Sequence, residues 1–274
     1  MERVRLSDGA ELATWRTGTV TGRPPVVLLH GGPGLWDYLE PVAAMIDTLA
    51  PIFRYDQRGC GRSTPSDDQS MATSLADLEQ LRQAWQAPEL ILIGHSFGAT
   101  LALAYAAEFP DRVAAVGYLA GLGTGDWRTP YRAERERRQR QYADRLARLT
   151  AQQRSRDEEI EWRRLRWVHD YADPDRGLEL ARPMAESENK INFQANREVR
   201  FDDADLVGWA GAVRCPVTFL HGDRDPRPVA NVVELAGLVR RSRKRIIADA
   251  GHLPWLERPA ETAELLHEVI IEAG

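Results

Sequence analysis

Ile91-Leu92-Ile93-Gly94-His95-Ser96-Phe97-Gly98-Ala99-Thr100 is the stretch on which the reading of this 274-residue chain turns. Leu90 to Ile93 is an apolar run without a polar face, as in a strand covered on both sides. Ala99 to Phe109 is rich in alanine, a strong helix former, and Pro110 ends it. Gly-x-Ser-x-Gly therefore sits between a buried strand and a helix. Such a junction holds a serine on a turn so tight that flanking side chains would strike neighbouring backbone, and Gly94 and Gly98 remove those side chains. The helix that follows aims its first N–H groups back at the turn. Without that context, the five-residue pattern is only a glycine-rich turn that lets helix and strand pack closely.

The same alternation extends on both sides. Val26-Val27-Leu28-Leu29 runs into His30-Gly31-Gly32-Pro33-Gly34, followed by helical spacing from Tyr38 to Ala50. Ile52 to Tyr55 reads as the next strand, and Ser74 to Trp85 as a helix opened by Ser74 with Asp77 in its first turn. Val113 to Leu119, Val217 to Leu220 and Arg245 to Ile247 complete the strands, with helices near Val229 to Val239 and from Ala260 to Ile271. Val4 to Leu6 and Glu11 to Arg16 form a leading antiparallel hairpin through Asp8-Gly9. The pattern predicts an α/β fold with a mostly parallel, doubly wound sheet. Between about Asp126 and Ala212 no buried-strand run occurs. Arg-rich helical stretches take its place (Arg132 to Leu149, Asp157 to His169, Leu178 to Asn189), which predicts a helical cap at 126–212 inserted into a catalytic domain of 1–125 and 213–274. The charge in that cap reads as a solvated helix face carrying Glu/Arg pairs.

Composition narrows the function. A net charge of −5 and a pI near 5.8 disfavour a general binder of nucleic acid or anionic membranes. Cys60 and Cys215 alone cannot make a disulfide scaffold, and Met1 to Arg5 has no apolar leader segment, so a cytoplasmic protein is expected. Cys60 reads as a small packed residue, and Asp56-Gln57-Arg58-Gly59 as a buried hydrogen-bond and ion-pair network behind the loops.

A serine hydroxyl needs a base to take its proton. Six histidines are available. His252, in Gly251-His252-Leu253-Pro254-Trp255 after the last strand, is assigned as that base. His30 is assigned to shaping its loop. An acid should follow the Val217 to Leu220 strand, where His221-Gly222-Asp223-Arg224-Asp225 offers two carboxylates. Asp225 is assigned to hold the imidazole, and Asp223 to stabilise the turn or pair with Arg224 or Arg227. Serine, acid, histidine is the chain order that strand-turn-helix nucleophiles of this kind use. An oxyanion needs two backbone N–H groups, assigned to Phe97 and Gly32, with Gly31 letting the backbone approach and expected to contact substrate. Of the tryptophans, Trp36, close to the oxyanion turn, is expected to face substrate. Trp127, Trp162, Trp167, Trp209 and Trp255 have core packing as their default.

These segments, with Asp56-Gln57-Arg58-Gly59-Cys60-Gly61-Arg62-Ser63, resemble the α/β-hydrolase superfamily and, within it, the proline iminopeptidase (prolyl aminopeptidase) group. The resemblance implies a metal-free, cofactor-free serine hydrolase that releases N-terminal proline or a small amino acid from short peptides or amides. It supports Ser96, Asp225 and His252 as the triad, with Gly32 and Phe97 at the oxyanion. It also implies cap glutamates that bind the free α-amino group. Glu186 to Phe193 is similar to the segment bearing one of them and Glu188 is the nearest correspondence, although Glu188 reads equally as an exposed helix carboxylate. Glu198 is the candidate for a second. Because the lid of such a fold sets the substrate, an esterase, lactonase, thioesterase or acyl-transferring cyclase with the same triad is the alternative, and a non-enzymatic receptor the third reading.

Overall fold

A computed structural model describes residues 1–66, 68–195 and 200–273. Eight strands form one sheet: β1 (Glu2–Arg5), β2 (Glu11–Gly18), β3 (Val26–Leu29), β4 (Pro51–Tyr55), β5 (Leu90–His95), β6 (Val113–Leu119), β7 (Val217–Gly222) and β8 (Ser242–Ile247). Their spatial order is β1-β2-β4-β3-β5-β6-β7-β8. β1 and β2 are antiparallel to their neighbours, and all later pairs are parallel.

The apolar runs have a direct cause. Val27, Leu29, Leu90, Leu92, Val116 and Tyr118 point to one face, where they meet Leu78 and Leu81 of α2 (Met71–Ala84) and the buried alanines and leucines of α3 (Phe97–Glu108). Val26, Leu28, Ile91, Ile93 and Ala115 point to the other, against Val42 and Ile46 of α1 (Glu40–Ile46) and Leu266, Val269 and Ile270 of the C-terminal helix Pro259–Ile271. With both faces covered, neither alternate set of side chains can be polar. The helix expected from Ser74 begins a turn earlier, because Ser70 is its N-cap and accepts from the Thr73 N–H.

Between β6 and β7 lie α4 (Arg128–Gln139), α5 (Ala143–Ala151), α6 (Arg156–Trp167), α7 (Pro174–Leu180), α8 (Arg182–Ala185) and the helix Asp203–Ala212, with no strand among the described residues. The single helix expected from Arg132 to Leu149 is broken by a 3-10 turn at Arg140–Tyr142. Asp203–Ala212 packs its Leu206 and Ala210 onto the sheet layer with α3. Leu149, Trp162 and Leu165 form a separate small core within the cap. Among the described residues, no helix is long and apolar enough to cross a membrane.

Candidate active site

Each candidate residue leaves the carboxyl end of a parallel strand. The register aligns Leu29 with Gly94, His95 with Leu119, Leu119 with Leu220 and Gly222 with Ile247. Turns after β3, β5, β7 and β8 therefore emerge at one edge, where open α/β sheets bind ligands. Ser96 caps α3 in a left-handed conformation, φ 56° and ψ −118°. That geometry is costly for a non-glycine residue and is held by its surroundings. A Cβ at Gly94 would overlap the Gly98 carbonyl, and one at Gly98 the Leu29 carbonyl, so both glycines are demanded by the turn. The Ser96 N–H is bonded to Leu119 O at 2.9 Å.

His252 Nδ1 lies 2.7 Å from Asp225 Oδ2. Burial alone would raise the Asp225 carboxyl, but His252, His221 and Arg227 together hold it well below the carboxylate range. An ionised carboxylate only accepts, so the proton of this bond sits on Nδ1 of His252. Asp225 Oδ1 accepts from the Arg227 N–H at 2.8 Å. No hydrogen bond joins Ser96 to His252 among the described residues, but both line one cavity of about 490 Å³ with Gly32 and Phe97. Such contacts are loose in unliganded hydrolases and tighten around substrate.

Behind these residues runs a chain of hydrogen bonds absent from the sequence reading. The Gly31 N–H donates to Tyr38 Oη at 2.8 Å, and Tyr38 Oη–H donates to His95 Nδ1 at 2.6 Å. With Nδ1 accepting, His95 Nε2–H donates to the His252 carbonyl at 2.8 Å. Burial and then the neighbouring His252 push the His95 imidazole well below its ordinary value, so it stays neutral. His30 shapes its loop as expected: Nε2 accepts from the Gln57 N–H at 3.0 Å, leaving Nδ1–H to donate to Gly31 O at 2.9 Å. Asp56, fully buried, accepts from the Asp37 and Arg62 N–H groups, and Arg58 is bonded to Asp77 and Asp8. Cys60 is buried nearby, its thiol pushed up to about 12 by burial and then by Asp56.

The cap is stitched to the histidine loop. The His252 N–H donates to Asp170 O at 2.6 Å, and Glu257 accepts from the Gly251 N–H at 2.7 Å and the Ala172 N–H at 2.8 Å. Gly251 is needed because a Cβ there would overlap Asp170 O. Arg138 donates to His169 O, Tyr171 O and Arg224 O. Arg227 bridges Asp170 at 2.7 Å and Asp225 at 3.3 Å, where the sequence suggested a pairing with Asp223. Asp170 was readable only as a helix-end aspartate, since nothing in the linear sequence places it beside Asp225.

Three expected substrate contacts are not brought to the cavity. Glu188 is exposed and does not line it. Trp36 is buried, packing edge-on against Trp167 with Arg163 over its ring, while Trp127 and Trp167 are the tryptophans in the wall. The Gly31 N–H is taken by Tyr38, and Gly31 instead lets the turn back onto Ser96 without a side chain. Glu198 lies outside the described residues.

Comparison with known proteins follows the same lines. The chain is 38% identical over 118 residues to a proline iminopeptidase of Saccharolobus solfataricus, a match covering 41% of this chain and only 37% of that protein. Over nearly the whole length of both chains, the fold is similar to a meta-cleavage product hydrolase of Pseudomonas fluorescens (TM-score 0.75, 18% identity, 100% of this chain and 98% of that one). It is likewise similar to an enol-lactonase of Burkholderia xenovorans (TM-score 0.71, 21% identity, 98% and 100%). A family model described as the alpha/beta hydrolase fold matches residues 24–259. That match opens just before the first parallel strand and runs past the histidine loop, taking in every turn described above, and the chain belongs to the alpha/beta hydrolase fold family.

Proposed function

We propose that this hydrolase works through an acyl-enzyme, with Ser96 as nucleophile, His252 as general base and then acid, and Asp225 holding the imidazole tautomer. The observation that carries the reading is the 2.7 Å His252–Asp225 pair opening on the same cavity as Ser96, which is itself held on a strained turn. Attack on a substrate carbonyl would develop negative charge beside the N–H groups of Gly32 and Phe97. Phe97 opens α3, so its N–H has no partner within the helix, and the helix dipole adds to its pull. His252 would pass the hydroxyl proton to the leaving group, and water would then release the acyl group by the same route.

For the substrate, the cavity wall favours a carboxylic ester, lactone or thioester. Its single carboxylate among the described residues is Asp170, already engaged by Arg227, so no unpaired carboxylate among them is placed to receive a substrate ammonium. Release of N-terminal proline is the second reading. It is supported by the sequence similarity to a proline iminopeptidase, which covers only part of each chain. Steady-state rates on aryl acetates, prolyl and alanyl arylamides and their N-acylated forms separate the two. Hydrolysis of esters, with arylamides slow whether blocked or free, is the expected result. Fast turnover of free prolyl arylamide with none of the blocked form would establish the second reading instead.

A further inference from the structure

The cavity carries an excess of positive charge that the chemistry at Ser96 does not use. Four arginines reach its wall: Arg128, Arg135, Arg166 and Arg227. Arg227 is neutralised between Asp170 and Asp225. None of the other three forms an ion pair among the described residues. Each lies against a cap aromatic instead, Arg128 at 4.6 Å from the Trp127 ring centre, Arg135 at 6.0 Å from Tyr131, and Arg166 at 5.2 Å from Trp162 and 5.6 Å from Phe193. A guanidinium laid on a ring keeps most of its in-plane N–H donors free, the arrangement that grips a carboxylate or phosphate with two parallel bonds, and Arg135 also donates to the Tyr131 hydroxyl. Desolvation pulls the Arg166 guanidinium below its ordinary value, and the neighbouring Arg135 pulls the same way, against the opposing fields of Tyr131 and Asp170. Several arginines elsewhere in the cap have carboxylate partners (Arg137 and Arg138 with Glu134, Arg145 with Glu161, Arg154 and Arg163 with Glu159, Arg164 with Glu179), while Arg132, Arg140, Arg148, Arg156 and Arg176 form no ion pair among the described residues, so what sets Arg128, Arg135 and Arg166 apart is their place in the cavity wall.

Resting on the acyl-enzyme reading above, we propose that the substrate carries an oxyanion group at the end remote from its scissile carbonyl, and that Arg135 and Arg166 bind it. Ser96 stands on the sheet and the two arginines on cap helices α4 and α6, so a substrate spanning the cavity presents one end to each. At about 490 Å³ the space suits a small acyl compound, for which a half-ester of a dicarboxylic acid is a direct probe.

The test compares mono-4-nitrophenyl glutarate with its neutral methyl ester, its ω-phosphonate analogue and an ω-ammonium analogue of equal length. The glutarate is expected to exceed the methyl ester in kcat/KM by about tenfold at low salt, a ratio worth ~1.4 kcal/mol. The ammonium analogue should be the slowest, and added salt should compress the series. A phosphonate faster than the carboxylate would identify phosphate as the natural oxyanion. The double variant Arg135→Gln/Arg166→Gln should lose the preference, whereas Arg148→Gln, which removes the same charge from a cap position outside the cavity wall, should keep it. Equal rates on charged and neutral esters, or a preference that survives the double variant, would overturn the proposal. Binding of glutarate to Ser96→Ala by calorimetry separates this from failure of the chemistry. It is expected even if no ester turns over, and should vanish when Arg135 and Arg166 are also replaced. An Ser96→Ala protein that binds glutarate no better than glutaramide would sink the anion site while leaving the acyl-enzyme reading intact.

Discussion

Single residues divide into those whose role follows from their neighbours in sequence and those whose role needs the fold. Gly94, Ser96 and Gly98 belong to the first kind, because a strand, a tight turn and a helix are local events and the overlaps that forbid a Cβ arise within and around that turn. Asp225 and His252 were legible as types of residue at strand ends, and their 2.7 Å pairing follows from β7 and β8 being parallel neighbours. Tyr38 and His95 belong to the second kind. They sit 57 positions apart, and no pattern marks them as the bridge between the Gly31 turn and the His252 carbonyl. Replacing Tyr38 by Phe removes the acceptor for a buried N–H and the donor to His95. The expected outcome is a loss of about 1–3 kcal/mol in urea unfolding, with a fall in kcat larger than any change in KM. A Tyr38→Phe protein as stable and as fast as the parent would show that the bridge positions nothing. Trp36 and Glu188 are the converse lesson. Closeness in sequence to the oxyanion turn did not put Trp36 in the cavity, because its ring is used against Trp167.

Among elements, the sheet was the most readable part of the chain. Strands covered on both faces must be apolar throughout, and β3 and β5 declare themselves by that alone. The described stretch between β6 and β7 is helical, but its break at Arg140–Tyr142 was not foreseen, since no Gly or Pro marks it in an arginine-rich run. How the cap docks was also hidden, because the stitching uses the backbone carbonyls of 169–171 and the Ala172 N–H, groups that any sequence supplies. Arg138 and Glu257 are the side chains that hold it, and both are buried. Glu257→Ala strands the N–H groups of Gly251 and Ala172 and is expected to cost about 2–6 kcal/mol, since each unsatisfied group costs about 1–3. The Tm should fall accordingly, and amide exchange should accelerate at 170–172 and 251–252. Exchange that rises evenly over the whole molecule would show that the stitch is not a local device. Gly251→Ala, which drives a methyl into Asp170 O, should lower activity by displacing His252.

For the molecule as a whole, the buried histidines set the response to acid. His30, His95, His169 and His221 are all depressed by burial, His169 to about 4, against an ordinary value near 6.5. Below pH 6.5 the unfolded chain therefore binds protons that the fold refuses, and stability falls as pH falls, by about 1.4 kcal/mol per pH unit for each such group. Asp37, raised to about 6 by burial, with Asp77 and Glu257 raised the same way, binds protons earlier in the fold and opposes the trend below pH 6. The urea midpoint should thus fall as pH is lowered through about 6.5, less steeply than the four histidines alone would give once the raised carboxylates take up protons. A midpoint that is flat or rises there would contradict the burial of neutral imidazoles. At this scale the sequence said least about the substrate, because composition records that the cap is rich in arginine but not which arginines look inward. The central claim remains that Ser96 is an activated nucleophile, and mass-spectrometric mapping of a fluorophosphonate adduct tests it most directly. One adduct per folded chain, located on Ser96, absent from Ser96→Ala and formed at least about a hundredfold more slowly in His252→Ala, is the expected result. A folded protein that stays unlabelled at Ser96, or is labelled there equally fast without His252, would contradict the account.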